Sequence, residues 1–478
     1  MSFVFFDTET TGLKRGFDQI IHFAAVRTDA NLNEVARFES RSRLQPHVLP
    51  HPSAMRTNGL SIERLTDASL PTHYAMVGDI RRTLMSWSPS IFVGFNSIRF
   101  DEEMLRHALF QCLYPAYLTS NHRNCRADAL SLVMAADAVS AAQLVVPVSA
   151  EGRRTFRLHQ LAAANGVAHT QAHDAMSDVL ATVELCRLVY DRTPELWQRF
   201  VRFSNKATVT DFVDAEDGFV LTEFFGGKAY HAPVVCIGVD PDQTNGRICL
   251  SLNQDIGKLA AMGDSELQAH LTQKPSPIRH FRVNSAPTLT AFFDAPEHML
   301  DGGAIEHIEG QARRVKSDPQ FCARLVAAFI ATREPYPLSP HLEERIYNGF
   351  PGPDDERRMS DFHQASWPDR LAIVQGLEDE RLRWFGLRLI YSEARGVLPA
   401  AVKAEIERRL ADQLAGDGSG CLTYEFALSE TEKLIGEGAD NDGILSRYRT
   451  YLQDRSARAA VFRAQNSVEA NMCVTTTK

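Results

Sequence analysis

The chain of 478 residues is too long for one compact core, so its length indicates two or three domains. An apolar fraction of 44% and a charged fraction of 23% are typical of a globular protein and exclude a disordered chain, a collagen-like fibre and a bare coiled coil. The formal net charge of −9 argues by itself against a nucleic-acid partner, but clustered metal-binding carboxylates raise the acidic count of an enzyme that also has a basic groove.

The N-terminal sequence, the lengths of the apolar runs and the spacing of the cysteines bear on membrane association and on the cellular compartment. The N-terminus runs from an apolar stretch at residues 3–6 directly into Asp7 and Glu9, without the basic start or cleavage site of a secretory signal. The longest apolar runs are far shorter than the roughly 20 residues of a membrane-spanning helix. The eight cysteines are scattered without a CxxC pair, which argues against a zinc ribbon or a disulfide framework. These features predict a cytoplasmic protein without a membrane partner.

Residues 1–192 alternate between strand and helix patterns. The predicted strands are residues 3–6, 20–28, 34–44 and 91–95. The predicted helices are residues 72–87, a helix opened by Asp101, and residues 128–138, 157–165 and 174–190. This alternation predicts an α/β domain over residues 1–192.

The pattern changes near Thr193-Pro194. Short β-rich runs at residues 219–225, 234–239 and 247–252 predict a second domain over residues 193–346, a small barrel or sandwich with attached helices. A Gly- and Pro-rich stretch at residues 347–355 precedes a helical third domain over residues 347–470. One of its helices carries an apolar stripe (Leu382, Phe385, Leu389, Ile390), with three arginines on the other face (Arg381, Arg383, Arg388). Residues 471–478 are predicted to form a polar tail.

Four acidic residues of the first domain lie at the ends of apolar strands or on a helix with an apolar face. Asp7 and Glu9 lie two residues apart at the end of the first strand, so both carboxylates face one side. The same spacing recurs elsewhere in the chain, where solvated pairs are expected, but two carboxylates at the end of a buried strand repel each other unless a cation lies between them. Asp101 follows another apolar strand, and its alternative role is that of a simple helix N-cap. Asp178 lies on a packed helix.

His173 lies five residues before Asp178, next to a helix start, where a lone histidine is most often structural or solvated. Taken together with the four acids, it completes the requirements of a two-metal hydrolase. Hard oxygen ligands hold two Mg²⁺ or Mn²⁺ ions about 4 Å apart, and the ions bind the attacking and leaving oxygens of a phosphodiester. A neutral histidine beside the attacking water can accept its proton.

Three strings carry a resemblance to a known family: residues 6–12 (FDTETTG), residues 94–96 with 100–101 (GFN, FD), and residues 173–178 (HDAMSD). They resemble the DEDDh exonuclease superfamily, the ribonuclease-H-like group that contains the proofreading subunits of DNA polymerases, oligoribonuclease and ribonuclease T. Its members cleave nucleic acids 3′→5′ and release nucleoside 5′-monophosphates. The resemblance implies that Asp7, Glu9, Asp101 and Asp178 bind two Mg²⁺ ions, for which Mn²⁺ can substitute, and that His173 is the general base.

Further strings at residues 97–103, 155–158, 164–167 and 347–350 resemble the bacterial branch of this superfamily that degrades single-stranded DNA. That branch has three parts: a ribonuclease-H-like exonuclease domain, an SH3-like β-domain and an all-α C-terminal domain. The resemblance implies substrate contacts by Glu9, Phe156 and Arg157, with Arg106 and Tyr117 as further contacts. An arginine can hold a phosphate bidentately, and an aromatic ring offers a face for a base, although Phe156 could equally be a core residue.

The resemblance also implies a protein partner, the acidic C-terminal tail of the single-stranded-DNA-binding protein. In the family this tail binds basic pockets near the border between the exonuclease domain and the β-domain. Lys316 is a candidate contributor, and this chain has Ser140 and Arg199 at the positions expected for other pocket members. The basic pattern of the pocket is therefore not clearly kept.

The prediction is a monomeric, processive, Mg²⁺-dependent 3′→5′ exonuclease of single-stranded DNA in DNA repair and recombination. An RNA-directed member of the superfamily is one alternative, and the long extension after the first domain argues against it. A catalytically silent single-strand-binding clamp is another, and the presence of all five site residues argues against that. A 5′-directed nuclease is excluded by the resemblance alone.

Overall fold

In the computed structural model the described residues are 1–139, 144–169, 173–300, 302–335, 337–416, 418, 420–440 and 442–475, with the backbone alone described for 462–475. The first region consists of five strands and seven helices among these residues. The strands are β1 Phe3–Thr10, β2 Ile20–Thr28, β3 Glu34–Arg41, β4 Ile91–Gly94 and β5 Cys125–Asp128. The helices are α1 Pro52–Asn58, α2 Ile62–Leu65, α3 His73–Ser86, α4 Asp101–Gln111, α5 Ala129–Val139, α6 Leu158–Ala164 and α7 Ala175–Arg192.

The first sheet has the strand order β3-β2-β1-β4-β5. The central strand β1 pairs antiparallel with β2 and parallel with β4, and Phe3 lies opposite Ile91. Because β1 is eight residues long and β4 only four, the carboxyl end of β1 extends past β4 and lies beside the loop that leads into α4. Helix α7 packs Val179 and Val183 into the same core as Phe3 and Phe5. The fold thus brings the end of β1, the start of α4 and the start of α7 together.

The second region combines a sheet with helices. Its strands are β6 Phe219–Phe225, β7 Lys228–Asp240, β8 Gln243–Ser251, β9 Ile278–Arg282 and β10 Thr288–Ala291. Its helices are α8 Pro194–Phe203, α9 Lys206–Ala215, α10 Ile256–Ala261, α11 Asp264–Leu271, α12 Ile305–Lys316 and α13 Pro319–Ala331. The strands are paired antiparallel in the order β10-β6-β7-β8-β9, and α12 and α13 contribute to a core on the sheet.

The third region is helical. Its helices are α14 Pro353–Gln364, α15 Arg370–Gly376, α16 Glu380–Ala394, α17 Ala400–Leu414, α18 Tyr424–Gly436 and α19 Ile444–Thr475. It shares a continuous hydrophobic core with α3 and α4 of the first region, in which Phe110 of α4 packs edge-on against Phe385 of α16. His363 of α14 stacks on Tyr114 at 3.8 Å between ring centroids. The helical region is therefore packed directly on the first region.

The predicted three-part layout of an α/β region, a β-containing region and a helical region is confirmed. Asp128, predicted to open a helix, instead ends the short strand β5, which sequence periodicity did not reveal. Helix α19 includes residues 471–475 of the predicted polar tail, and residues 476–478 lie outside the described part of the chain. Among the described helices, none combines the length and the apolar character needed to span a bilayer.

Candidate active site

Asp7 and Glu9 lie on the half of β1 that extends beyond β4. The apolar residues 3–6 that precede them are all buried, as predicted. Both carboxylates lie on one face of the strand and are partly buried, whereas Thr8 between them is buried on the other face. The two-residue period of a strand therefore gives one cavity two acidic side chains.

Asp101 is the first residue of α4, and its carboxylate does not cap this helix. Phe100 occupies the N-cap position, and Asp101 Oδ1 accepts hydrogen bonds from the Thr8 hydroxyl at 2.6 Å and the Thr8 amide at 3.1 Å. The preceding loop is fixed by the buried Asp128, whose carboxylate accepts from the amides of Asn96 at 2.9 Å and Ile98 at 3.2 Å. Thr8 and Asp128 thus hold Asp101 beside the end of β1, which the sequence did not reveal.

Asp178 and His173 reach the same cavity from the start of α7. The possible ligand atoms of Glu9, His173 and Asp178 all lie within 4.8 Å of one another. His173 is exposed and has a φ of 62°, and it precedes the N-cap Asp174, whose carboxylate accepts from the Ser177 amide. His173 therefore lies at the mouth of the site, and its role as the general base stays a prediction.

Two further side chains, His169 and Arg41, hold residues at the start of α7. Neither of them was identified from the sequence. His169 Nε2 donates to Asp178 Oδ1 at 2.6 Å, so an imidazole other than His173 already holds one oxygen of that carboxylate. Arg41 donates to Asp174 Oδ2 at 2.9 Å and pairs with Glu39 at 2.8 Å. Glu39 and Asp174 thus form a neighbouring acidic pair whose charge is balanced by Arg41 of the chain itself. Arg41 thereby holds Asp174, the residue that follows His173.

The carboxylates of the cavity destabilise one another's charged forms. Burial, followed by the charges of Asp101, Asp178 and Glu9, raises the pKa of Asp7 well above its ordinary value. Burial and the charges of Asp178 and Asp101 raise the pKa of Glu9 to about 9, and burial raises the pKa of Asp101 to about 7. The pKa of Asp178 is also raised, mainly by burial. Such a cluster is expected where a cation is to be bound.

These side chains line one open cavity of about 470 Å³. All five predicted site residues line it: Asp7, Glu9, Asp101, His173 and Asp178. Arg15 and Arg99 line it as well, and among the described lining residues they are the ones with a permanent positive charge. The sequence contains them in the loops that follow β1 and β4, but no spacing rule identified them. We call this space the catalytic cavity.

Phe156 and Arg157 do not line the catalytic cavity. Phe156 packs partly against the core of the first region, and Arg157 is exposed at the N-cap of α6. The β6–β7 turn approaches this segment so closely that a side chain on Gly227 would lie 3.0 Å from the Arg154 carbonyl oxygen and 3.7 Å from the Phe156 ring. Phe156 therefore lies where the β-containing region meets the first region.

Arg106 is not an open phosphate site in this structure. Its guanidinium is buried and donates to Glu102 at 2.7 Å and to Glu103 at 3.0 Å, and it lies over the Tyr117 ring. Tyr117 lines a second cavity of about 530 Å³, where Phe350 lies 5.6 Å from its ring. The structure separates these two predicted substrate contacts from the catalytic cavity.

The donor set of the catalytic cavity fits hard divalent cations. Carboxylate oxygens are the preferred ligands of such ions, and Asp7, Glu9, Asp101 and Asp178 supply them from three separate segments. The raised carboxyl pKa values indicate that the charges lack compensation from the protein alone. These residues therefore suit divalent metal binding.

Metal binding should reverse a pH-dependent loss of stability. Because the folded chain holds the Glu9 proton up to a pKa of about 9 and the unfolded chain only to about 4.5, the free energy of unfolding of the metal-free protein falls as pH rises through this window. At pH 8, millimolar Mg²⁺ is expected to raise the melting temperature by about 3 °C or more relative to EDTA. Glu9→Gln should raise the melting temperature in EDTA at pH 8 but not at pH 4.5, and should weaken the Mg²⁺ effect. Thermal scans that showed no difference between Mg²⁺ and EDTA would contradict this expectation.

Comparisons with known proteins agree with this geometry. A family model described as exonuclease, RNase_T, matches residues 4–186. Exodeoxyribonuclease I of Escherichia coli K12 is 28% identical over 377 residues, which are 75% of this chain and 78% of that protein. The fold is similar to that of E. coli exonuclease I in complex with a dA16 oligonucleotide, with a TM-score of 0.82 and 24% identity over 96% of this chain and 99% of that chain. It is also similar to SSB/exonuclease I in complex with the inhibitor CFAM, with a TM-score of 0.80 and 23% identity over 95% of this chain and 99% of that chain.

The fold and the site together define a metal-dependent exonuclease of the DEDDh type, a phosphodiester hydrolase. The four acidic residues and the histidine selected in the sequence analysis lie around one cavity. The chain belongs to the exonuclease family and is a homologue of exodeoxyribonuclease I, as the resemblance predicted.

Proposed function

We propose that this chain is a 3′→5′ exonuclease that degrades single-stranded DNA to nucleoside 5′-monophosphates, uses two Mg²⁺ ions and acts processively in DNA repair and recombination. The observation that carries the proposal is the convergence of Asp7, Glu9, Asp101, His173 and Asp178 on one open cavity from distant parts of the chain. The similarity to exodeoxyribonuclease I over three quarters of the chain supports the choice of substrate. Mn²⁺ should replace Mg²⁺, since both prefer oxygen ligands.

The carboxylates of Asp7, Glu9, Asp101 and Asp178 would hold the metal ions. When bound, the ions supply a Lewis acid for the phosphoryl oxygens and lower the pKa of the attacking water. The chain contributes rigidity: Thr8 fixes Asp101 with two hydrogen bonds, and His169 fixes Asp178 with one. Ligands held in this way lose little conformational freedom when they bind.

His173 would accept the proton of the attacking water. Its ring lies within 4.8 Å of the Glu9 and Asp178 oxygens, yet the side chain is exposed, so it can reach a water that lies in the cavity. Asp174 caps α7 and is held by Arg41, which fixes the backbone directly after His173. The imidazole can then pass its proton to solvent, because it lies at the mouth of the site.

The strand would enter along the boundary between the first and second regions. Arg15 and Arg99 can bind its phosphates next to the scissile bond, and the exposed Arg157 can bind a phosphate further along. Phe156 lies at the same boundary and offers a ring for a base. Because phosphate contacts and stacking carry little sequence information, base identity should matter little, and affinity should fall steeply with salt.

Tyr117 and Arg106 would serve the strand in different ways. Tyr117 faces the second cavity with Phe350, which gives two aromatic rings for stacking. Arg106 is occupied by Glu102 and Glu103, and its guanidinium lies 5.1 Å from the Tyr117 ring centre. We therefore assign Arg106 the role of holding Tyr117 in place, rather than that of a direct phosphate contact.

A time course on labelled 30-mers tests the proposal. Single-stranded DNA labelled at the 5′ end should give a ladder that shortens from the 3′ end, and DNA labelled at the 3′ end should release labelled mononucleotide at once. EDTA should stop both reactions, and matched RNA should be degraded at least about 10-fold more slowly. Preferred digestion of RNA would favour the RNA-directed alternative, and tight binding without cleavage in Mg²⁺ would favour the silent clamp.

The acidic tail of the single-stranded-DNA-binding protein is the proposed protein partner. A small cavity of about 40 Å³ lies between α5, α8 and β10, and its apolar lining is joined by Arg199 and His231. Lys316 is engaged elsewhere, because its ammonium donates to the carbonyl oxygens of Asp214 and Glu216. Ser140 lies outside the described residues. An apolar pocket with one arginine suits a short acidic peptide with an apolar end.

We further propose that the enzyme works as a cytoplasmic monomer. The seven cysteines whose side chains the structure describes are free thiols, which suits a reducing compartment.

A further inference from the structure

The loop between β1 and β2, residues 11–19, forms one wall of the catalytic cavity. It is closed by the hydrogen bond from the Thr11 amide to the Gln19 carbonyl, and Asp18 accepts from the Thr11 hydroxyl inside it. Its tip carries the exposed Leu13 and Arg15, and both side chains line the catalytic cavity. The position of this loop therefore determines where Leu13 and Arg15 meet the substrate.

The tip of the loop is held by the end of α4 and by segments that follow the first two regions. The Gly16 carbonyl oxygen accepts from Gln111 Nε2 at 2.7 Å, at the end of the helix that begins with Asp101. Gly16 also lies so close to the segment before α14 that a Cβ there would be 2.7 Å from the Glu343 carbonyl oxygen. Lys14 donates its ammonium to the carbonyl oxygens of Gly418 at 3.1 Å and Gly420 at 2.5 Å.

Gln111 is itself fixed by a buried network between α16 and Glu343, which lies in the segment before α14. Gln111 Oε1 accepts from Arg388 of α16 at 2.5 Å, and the Arg388 guanidinium also donates to Glu343 at 3.2 Å. The same Glu343 oxygen accepts from the Trp384 indole at 3.0 Å. Arg388 and Glu343 are almost completely buried, so each needs the other and neither can turn to water. This arrangement leaves Gln111 one orientation, with its amide toward Gly16.

We propose that Gln111, Arg388 and Glu343 are positioning residues for hydrolysis: they hold loop 11–19, and with it Leu13 and Arg15, against the catalytic cavity. The helical region would then contribute to the geometry of the active site. The catalytic consequence rests on the proposed exonuclease function, whereas the mechanical link to the loop does not.

Gly16→Ala tests the close approach to Glu343. The added methyl group meets backbone atoms, which cannot turn away as a flexible side chain would, so the loop tip must move. We expect kcat on single-stranded DNA to fall about 10- to 100-fold, because small displacements at a reacting centre have effects of that size, while KM changes less than threefold. The matched control is Gly310→Ala on α12, where a Cβ meets nothing within 4 Å; it should keep the wild-type kcat.

Gln111→Glu tests the hydrogen bond separately. A glutamate can still accept a hydrogen bond from Arg388, so the buried network stays paired. It cannot donate to the Gly16 carbonyl oxygen, so the loop loses its hydrogen bond to α4. Amide hydrogen exchange of the full-length protein without substrate should become about 10-fold faster in residues 11–19 and stay unchanged in α16. The proposal would be overturned if Gly16→Ala and Gln111→Glu both showed the wild-type amide exchange rate in residues 11–19 and the wild-type kcat. If the wild-type chain does not digest DNA, the proposed function fails, and the exchange experiment still decides whether the link exists.

Discussion

Asp7→Asn is expected to lower kcat on single-stranded DNA by about 10³- to 10⁴-fold, since it weakens a metal site whose charge stabilisation amounts to several kcal/mol. The substitution keeps the shape of the side chain and removes the charge that faces Asp101, Asp178 and Glu9. KM should change little, because the strand is held mainly by residues outside the carboxylate cluster. Initial rates on a 5′-labelled 30-mer at saturating Mg²⁺ give both constants.

The control for this variant is Asp264→Asn. Asp264 and Glu266 have the same two-residue spacing as Asp7 and Glu9, but Asp264 begins a surface helix and its side chain is 80% exposed. The control should therefore keep the wild-type kcat. If the Asp7→Asn enzyme were as fast as the wild type, Asp7 would not be a metal ligand. The silent-clamp alternative would then be favoured, and the digestion would be due to another nuclease in the preparation.

That the five residues share one cavity could be predicted only in part from local patterns. The period of two in β1 gives Asp7 and Glu9 a common face, and the apolar strand before Asp101 places that residue at the same edge of a parallel pair. A family resemblance then assigned their roles. The residues that hold these five in place, such as Thr8 and His169, could not be identified from the sequence. Their hydrogen bonds to Asp101 and Asp178 join side chains that come together only in the tertiary fold.

The helix α16 shows why the third region could not be interpreted fully from its sequence. Its apolar stripe was identified, and three arginines on the other face are the usual sign of a solvated surface. In the structure Arg381 and Arg388 are buried. Arg381 donates to the Arg345 carbonyl oxygen, and Arg388 donates to the Glu343 carboxylate and to the side-chain oxygen of Gln111 in the first region. Hydropathy alone does not distinguish an arginine in water from one in a buried ion pair.

His173→Asn is the second substitution with a large expected effect. We expect kcat to fall about 10²- to 10⁴-fold, the usual contribution of a general base, with little change in KM or in the melting temperature. Asparagine is the replacement of choice because His173 has a φ of 62°, a conformation that asparagine adopts with less strain than alanine. Single-turnover hydrolysis of the 5′-labelled strand measures the effect on the chemical step.

His169→Asn separates the base from the residue that holds a ligand. His169 donates to Asp178 and should act through that carboxylate, so its loss should raise the Mg²⁺ concentration needed for half-maximal rate, and high Mg²⁺ should restore most of the activity. Excess Mg²⁺ should not restore His173→Asn, whereas added imidazole should do so in part, because the exposed position of His173 admits a free base from solvent. If Mg²⁺ rescued His173→Asn as well as His169→Asn, His173 would be a metal-positioning residue and the water would lose its proton to another group.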